Sequence, residues 1–134
     1  MIDIIRLDNG LELTLLDKSF IITSDRWNVV LLVRVPVPAH RVLDGTDAAG
    51  PTPGDIAEAM GDPVVFEKKL ERIFIDEGEK QEVLDEMVDS FLETTRVYLS
   101  NPGFAKRFLL RRYAEEGKRR QLEQMRRRHF RAES

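Results

Sequence analysis

The residues whose types and spacing best support chemistry gather at the end of the chain. They are Lys118, Arg119 and Arg120, then Arg126, Arg127 and Arg128, with Arg131 beyond. On a helix, Arg119, Arg120, Glu123, Arg127 and Arg131 approximate one edge, and guanidinium groups so arranged can track a phosphate backbone or an acidic protein surface. The plainer alternative is a solvated helix, since Glu115, Glu116 and Glu123 are interspersed. Only His129 and Phe130 supply rings nearby, so stacking on single-stranded bases has little support. Leu122, Met125, His129 and Phe130 also make a thin stripe that offers pairing with a second copy.

Other constellations are weaker. Ser24-Asp25-Arg26-Trp27 is a polar cluster entering a strand, and with His40 it outlines a possible ligand cleft of Asp25, Arg26, Trp27 and His40. A turn with an ion pair and an aromatic anchor explains the first four residues as well. His40 and His129 are far apart, and neither has a second ligand at metal spacing. The acidic run from Asp76 to Asp89 lacks the twelve-residue calcium-loop pattern, and acid early in a helix favours the dipole anyway. Gly45, Gly50 and Gly54 lack the lysine of a phosphate-binding loop. No catalytic residue, cofactor-binding residue or metal ligand is therefore assigned, and the chain is expected to need no cofactor.

The elements that must position these residues are bounded by composition. The 134 residues have room for one domain. A 42% hydrophobic content is too high for general disorder, and 34% charge favours solubility. The chain has no cysteine, which removes disulfides and thiol chemistry and fits a cytoplasmic setting. No basic region precedes the first apolar residues, and no apolar run approaches the length of a membrane span, so no membrane association is expected. The net charge of −3 hides a split. Ten Lys or Arg face twenty Asp or Glu from Met1 to Gly103, a balance of −10, whereas eleven face four from Phe104 to Ser134, a balance of +7. That asymmetry points the basic end toward nucleic acid, an acidic protein, or the acidic body of the chain itself.

Asn9-Gly10 between alternating apolar residues predicts a hairpin of about 2–7 and 11–17. Phe20–Thr23 is a short β-branched patch, and Ser24-Asp25 marks a turn. Trp27–Val37 carries apolar residues at both parities, as does a central strand or one whose second face a partner subunit covers, with Pro36 and Pro38 ending it. Five of the six prolines and four of the eight glycines lie between Val35 and Val64, which predicts a long surface loop with one helical turn at 55–60. Residues 64–75 fit both periods, and their β-branched ends favour a strand. Asp76, with Glu79 three positions on, predicts a capping box opening an amphipathic helix over 77–99. Asn101-Pro102 starts a second helix, and beyond Gly117 the chain either continues it as a projection or frays.

The run LDNGLELTLLDKS, SDRW before a Val-rich strand, FIDE, and YLSNPGFAKRF together resemble uncharacterised bacterial proteins with no assigned function. That resemblance implies no activity, cofactor or site residue. The expected fold is α+β: a four-stranded, mostly antiparallel sheet, built from the N-terminal hairpin and two long strands, with two C-terminal helices packed on one face. Residues 1–116 form the domain, with 38–63 as its Pro/Gly-rich loop, and 117–134 form a basic helical extension or tail. The leading functional expectation is a non-enzymatic, homodimeric interaction or assembly module. Nucleic-acid or ribonucleoprotein binding through the basic helix is the alternative, and a small-ligand binder or enzyme using the 38–63 cleft is third.

Overall fold

The computed structural model describes residues 2–43 and 50–133, the last four by their backbone alone. It is an α+β fold with a five-stranded antiparallel sheet. By internal contacts the chain divides into two compact units, Met1–Pro36 with Val65–Phe104 and Val37–Val64 with Ala105–Ser134.

The first unit is built on the sheet. β1 (Asp3–Arg6) and β2 (Glu12–Asp17) pair through the Asn9-Gly10 turn, where Gly10 takes a φ of 86° that a side chain would oppose. β2 then pairs with β4 (Arg26–Val37), from Thr14↔Arg34 to Asp17↔Leu31. β3 (Phe20–Thr23) continues the same register on the same strand, with Phe20↔Asn28 and Ile21↔Trp27. β2 and β3 are thus two halves of one arm. The ladder crosses the gap through Lys18, whose N–H donates to the Val30 carbonyl at 2.9 Å, and Ser19, whose hydroxyl accepts from Val30 N–H at 3.0 Å. The arm turns at Ser24-Asp25, Ser24 having a φ of 47°. On its other side β4 pairs with β5 (Val64–Asp76), and Arg34–Glu67 and Asn28–Glu71 contacts link those two strands.

The expected four strands become five because the Phe20–Thr23 patch is itself a strand. Val29, Leu31, Val33 and Val35 are fully buried, and Val30 is buried from the other parity, so β4 is the central strand its composition predicts. Pro36 does not end it. The ladder with β2 stops at Arg34, so on that side of β4 the missing N–H of Pro36 falls past the last paired residue. The strand reading of 64–75 holds, but Phe74 adopts a φ of 60° and is 61% exposed, which takes it out of the apolar parity.

α3 (Lys80–Thr94) and α4 (Arg96–Ser100) replace the single helix expected over 77–99. Leu84, Met87, Phe91 and Leu99 supply the buried stripe. The helix opens at Lys80 without a side-chain cap. The expected capping box is absent because Asp76 ends β5, where its carboxylate accepts from Arg26 and from Gly78 N–H. At the far end the Thr94 hydroxyl donates to the Ser90 carbonyl at 2.8 Å, a back-bond that competes with the ladder and bends helices, and Thr95 interrupts the run. Two contacts tie these helices to the strands. Lys80 Nζ lies 3.8 Å over the Trp27 ring, and the Asn9 side-chain amide donates to the Leu99 carbonyl at 2.7 Å.

The second unit is helical. The stretch predicted as loop holds α1 (Ala39–Val42) and α2 (Pro53–Met60), while 44–49 lies outside the described residues. α2 is longer than the predicted turn because Thr52 and Asp55 form a reciprocal capping box with Pro53 at its first position. α5 (Phe104–Glu133) runs unbroken for 30 residues, about 45 Å at the usual rise. Val37, Ala39, Ile56, Val64 and Leu109 are among the buried residues of this unit.

Candidate functional site

The basic segment lies wholly on α5. Its residues are mostly Arg, Lys, Glu, Gln, Leu and Met, all good helix formers, and no proline interrupts them. Gly117 sits in open space with nothing within 4 Å of where a Cβ would stand, so the helix continues through it. Ion pairs one turn apart reinforce the middle of the helix. Arg112 meets Glu115 at 3.3 Å, and Glu116 accepts from Arg119 at 2.7 and 3.2 Å. Glu116 also lies 3.6 Å from Arg120. Its hydrogen bond from Arg119 holds the carboxyl below its usual range, opposed by burial and helped by the nearby positive charges. Arg120 in turn donates to the Ala59 carbonyl at 3.4 Å.

The seven residues predicted to bind a partner therefore fall into distinct sets. Arg119 and Arg120 are held by Glu116. Lys118, Arg126, Arg127 and Arg128 make no ion pair among the described residues. Arg131 lies on the helix, but its side chain, like that of Phe130, is outside what the structure describes. Every residue from Gly117 to His129 is exposed, including Leu122 at 60% and Met125 at 62%. A shallow groove along this stretch is lined by Arg119, Leu122, Glu123 and Arg126. Successive helical residues are about 100° apart, so Arg126, Arg127 and Arg128 spread over about 200° of the circumference. Arg119, Arg120, Glu123, Arg127 and Arg131 still fall within about 120° of one another on the continuous helix, while Lys118 and Arg128 lie to either side of that edge.

The second predicted cluster has other commitments. Arg26 meets Asp76 at 3.2 Å and lies 5.5 Å from the centre of the Phe74 ring. The Asp25 carbonyl accepts from Glu77 N–H at 2.8 Å, and Trp27 lies beneath Lys80. These three belong to the first unit, while His40 belongs to the second. There His40 Nδ1 donates to Asp62 at 2.9 Å, and the other Asp62 oxygen accepts from Ala39 N–H at 2.9 Å, capping α1 from 23 residues away. The His40 hydrogen bond lowers the Asp62 pKa, burial opposes it, and the Ala39 N–H adds to it.

Sequence reasoning missed two of these residues. Glu116 was readable in principle from its spacing of three and four to Arg119 and Arg120. Asp62 carried no local signal, since its partners are remote in sequence. Among the described residues, no group of three or more metal-binding side chains is assembled, and no helix is long and apolar enough to cross a membrane. No family model, curated protein or solved structure matches the chain.

Proposed function

We propose that this chain is an interaction module that binds double-stranded nucleic acid through the C-terminal half of α5. The observation that carries this reading is the angular spread of the cations: Lys118, Arg126, Arg127 and Arg128 are exposed, make no ion pair among the described residues and point around more than half the helix. A flat acidic surface engages only one side of a helix, whereas a groove presents phosphates on two walls. The B-DNA major groove, about 12 Å wide, admits a helix, while the A-form RNA major groove is too narrow. Duplex DNA is therefore the favoured form. The scarcity of aromatic residues beside these arginines argues against single strands. A cytoplasmic setting accords with the cysteine-free composition.

The test is fluorescence anisotropy with labelled mixed-sequence duplex DNA over a range of salt. Four phosphate contacts give a log–log slope of about −3.6. Replacing Arg126, Arg127 and Arg128 together by Glu abolishes binding. Absence of binding at low salt, or binding that survives the triple replacement, refutes the reading.

A further inference from the structure

Three sheet edges in the first unit are open among the described residues, and they differ in chemistry. β1 is short and carries Asp3 and Arg6, and the outer edge of β5 carries Glu67, Lys68, Lys69, Glu71 and Arg72. Charges of this kind keep an edge from pairing with another strand. β3 has none: Phe20, Ile21, Ile22 and Thr23 are all exposed, the first three at 50, 53 and 46%. We infer that the β3 edge is a self-association surface, on which a second copy of the chain lays its own β3 antiparallel across a two-fold axis.

The occupant follows from the shape of the edge. β1 covers the arm only as far as Leu15, where Asp3 pairs and Ile2 N–H donates to the Leu15 carbonyl. From Asp17 to Thr23 no described residue pairs with the outer side of the arm, which leaves among the described residues a step one strand wide and about 20–24 Å long. The tip of the same hairpin, β3 followed by its two-residue turn, has that length. Two copies related by a two-fold each fill the other's step, and the pairing closes after one addition. The charges at its ends agree. Asp17-Lys18 precedes β3 and Asp25-Arg26 follows it, so antiparallel pairing sets Lys18 of one copy within a residue of Asp25 of the other.

The Leu122–Met125 stripe on α5 is the poorer surface for a copy. Lys118, Arg119, Arg120, Arg126, Arg127 and Arg128 against Glu123 would place like charges together. The β3 proposal uses none of the residues of the helix proposed to bind nucleic acid, and either proposal can fail alone.

Light scattering of the full chain through the micromolar range is expected to rise from one subunit's mass to two and to stop there. Ile22→Lys is expected to stay at one subunit with an unchanged circular dichroism spectrum. One subunit's mass at every concentration, growth past a dimer, or an Ile22→Lys protein that still dimerises overturns the inference. The cysteine-free chain gives a second measurement that does not depend on that variant folding. Single replacements Phe20→Cys, Ile21→Cys, Ile22→Cys, Thr23→Cys and Leu122→Cys are oxidised in turn. Strand-pair spacing brings residues near the axis within disulfide reach. Covalent dimer confined to members of the β3 series supports the arrangement, and equal or greater yield from Leu122→Cys, or none from β3, overturns it.

Discussion

Glu116 grips Arg119 at two points, Oε1 accepting from Nη2 at 2.7 Å and Oε2 from Nε at 3.2 Å. The fork fixes the guanidinium plane against the helix and withdraws it from other anions. It also lies 3.6 Å from Arg120, so one carboxylate governs two of the basic residues. Glu116→Gln removes the charge while keeping the shape. Duplex DNA affinity at low salt is expected to rise, and the salt slope to steepen from about −3.6 toward −5.4 as two further contacts become available. A slope unchanged by this substitution means that Arg119 and Arg120 lie outside the contact surface.

Asp62 joins the start of α1 to the start of β5 through its bonds to Ala39 and His40. Its folded-state pKa lies below the unfolded value. The stability it adds is therefore complete above the ordinary carboxylate range and is lost as pH falls through the folded value. Asp62→Ala is expected to cost about 1 kcal/mol at neutral pH, the usual scale for a lost cap. The difference from wild type should shrink in acid. Denaturant titrations at neutral and acid pH check this; a gap that stays constant with pH contradicts it.

Gly117 occupies a helical position where an added methyl meets nothing within 4 Å. Gly117→Ala is expected to stabilise α5 by about 1 kcal/mol, because glycine loses more backbone freedom on entering a helix. Amide hydrogen exchange along α5 should slow on both sides of the substitution. Unchanged exchange would show that α5 gains nothing there.

Trp27 is the chain's one tryptophan, and Lys80 stands over its ring at 3.8 Å. Lys80→Met keeps the length of the side chain and removes the cation. A loss of about 0.5–1 kcal/mol is expected, with a shift in tryptophan emission that reports the changed contact directly. Stability equal to wild type would assign Lys80 a covering role alone.

Much of the sheet was legible because its signals are local. Asn9-Gly10 gives a turn by backbone preference alone, and the valines of β4 announce a central strand. β3 was harder to read, since Lys18-Ser19 separates it from β2 and the join depends on a hydroxyl bond across to Val30. The break at Thr95 was hidden for a similar reason: the apolar stripe runs through it, while the Thr94 hydroxyl disturbs the backbone beside it. On α5 the composition gave the basic character and the spacing gave an edge of Arg119, Arg120, Glu123, Arg127 and Arg131, but cations stand beyond that edge as well. Three consecutive arginines, Arg126, Arg127 and Arg128, cannot all share one helical face, so Arg128 falls outside it. Asp62 illustrates the limit, because a cap supplied from 23 residues away leaves no periodic trace.

The continuous register of the β2–β3 arm along β4 also bears on how the chain acquires its shape. Two short reversals, at Asn9-Gly10 and Ser24-Asp25, bring β1 through β4 together with small sequence separations, and such contacts form quickly. β5 must instead return across the whole interval from Pro38 to Pro63 before it can join. During synthesis residues 3–37 emerge able to zip into a meander, and the outer flank of β4 stays open until a strand encoded much later arrives to close it.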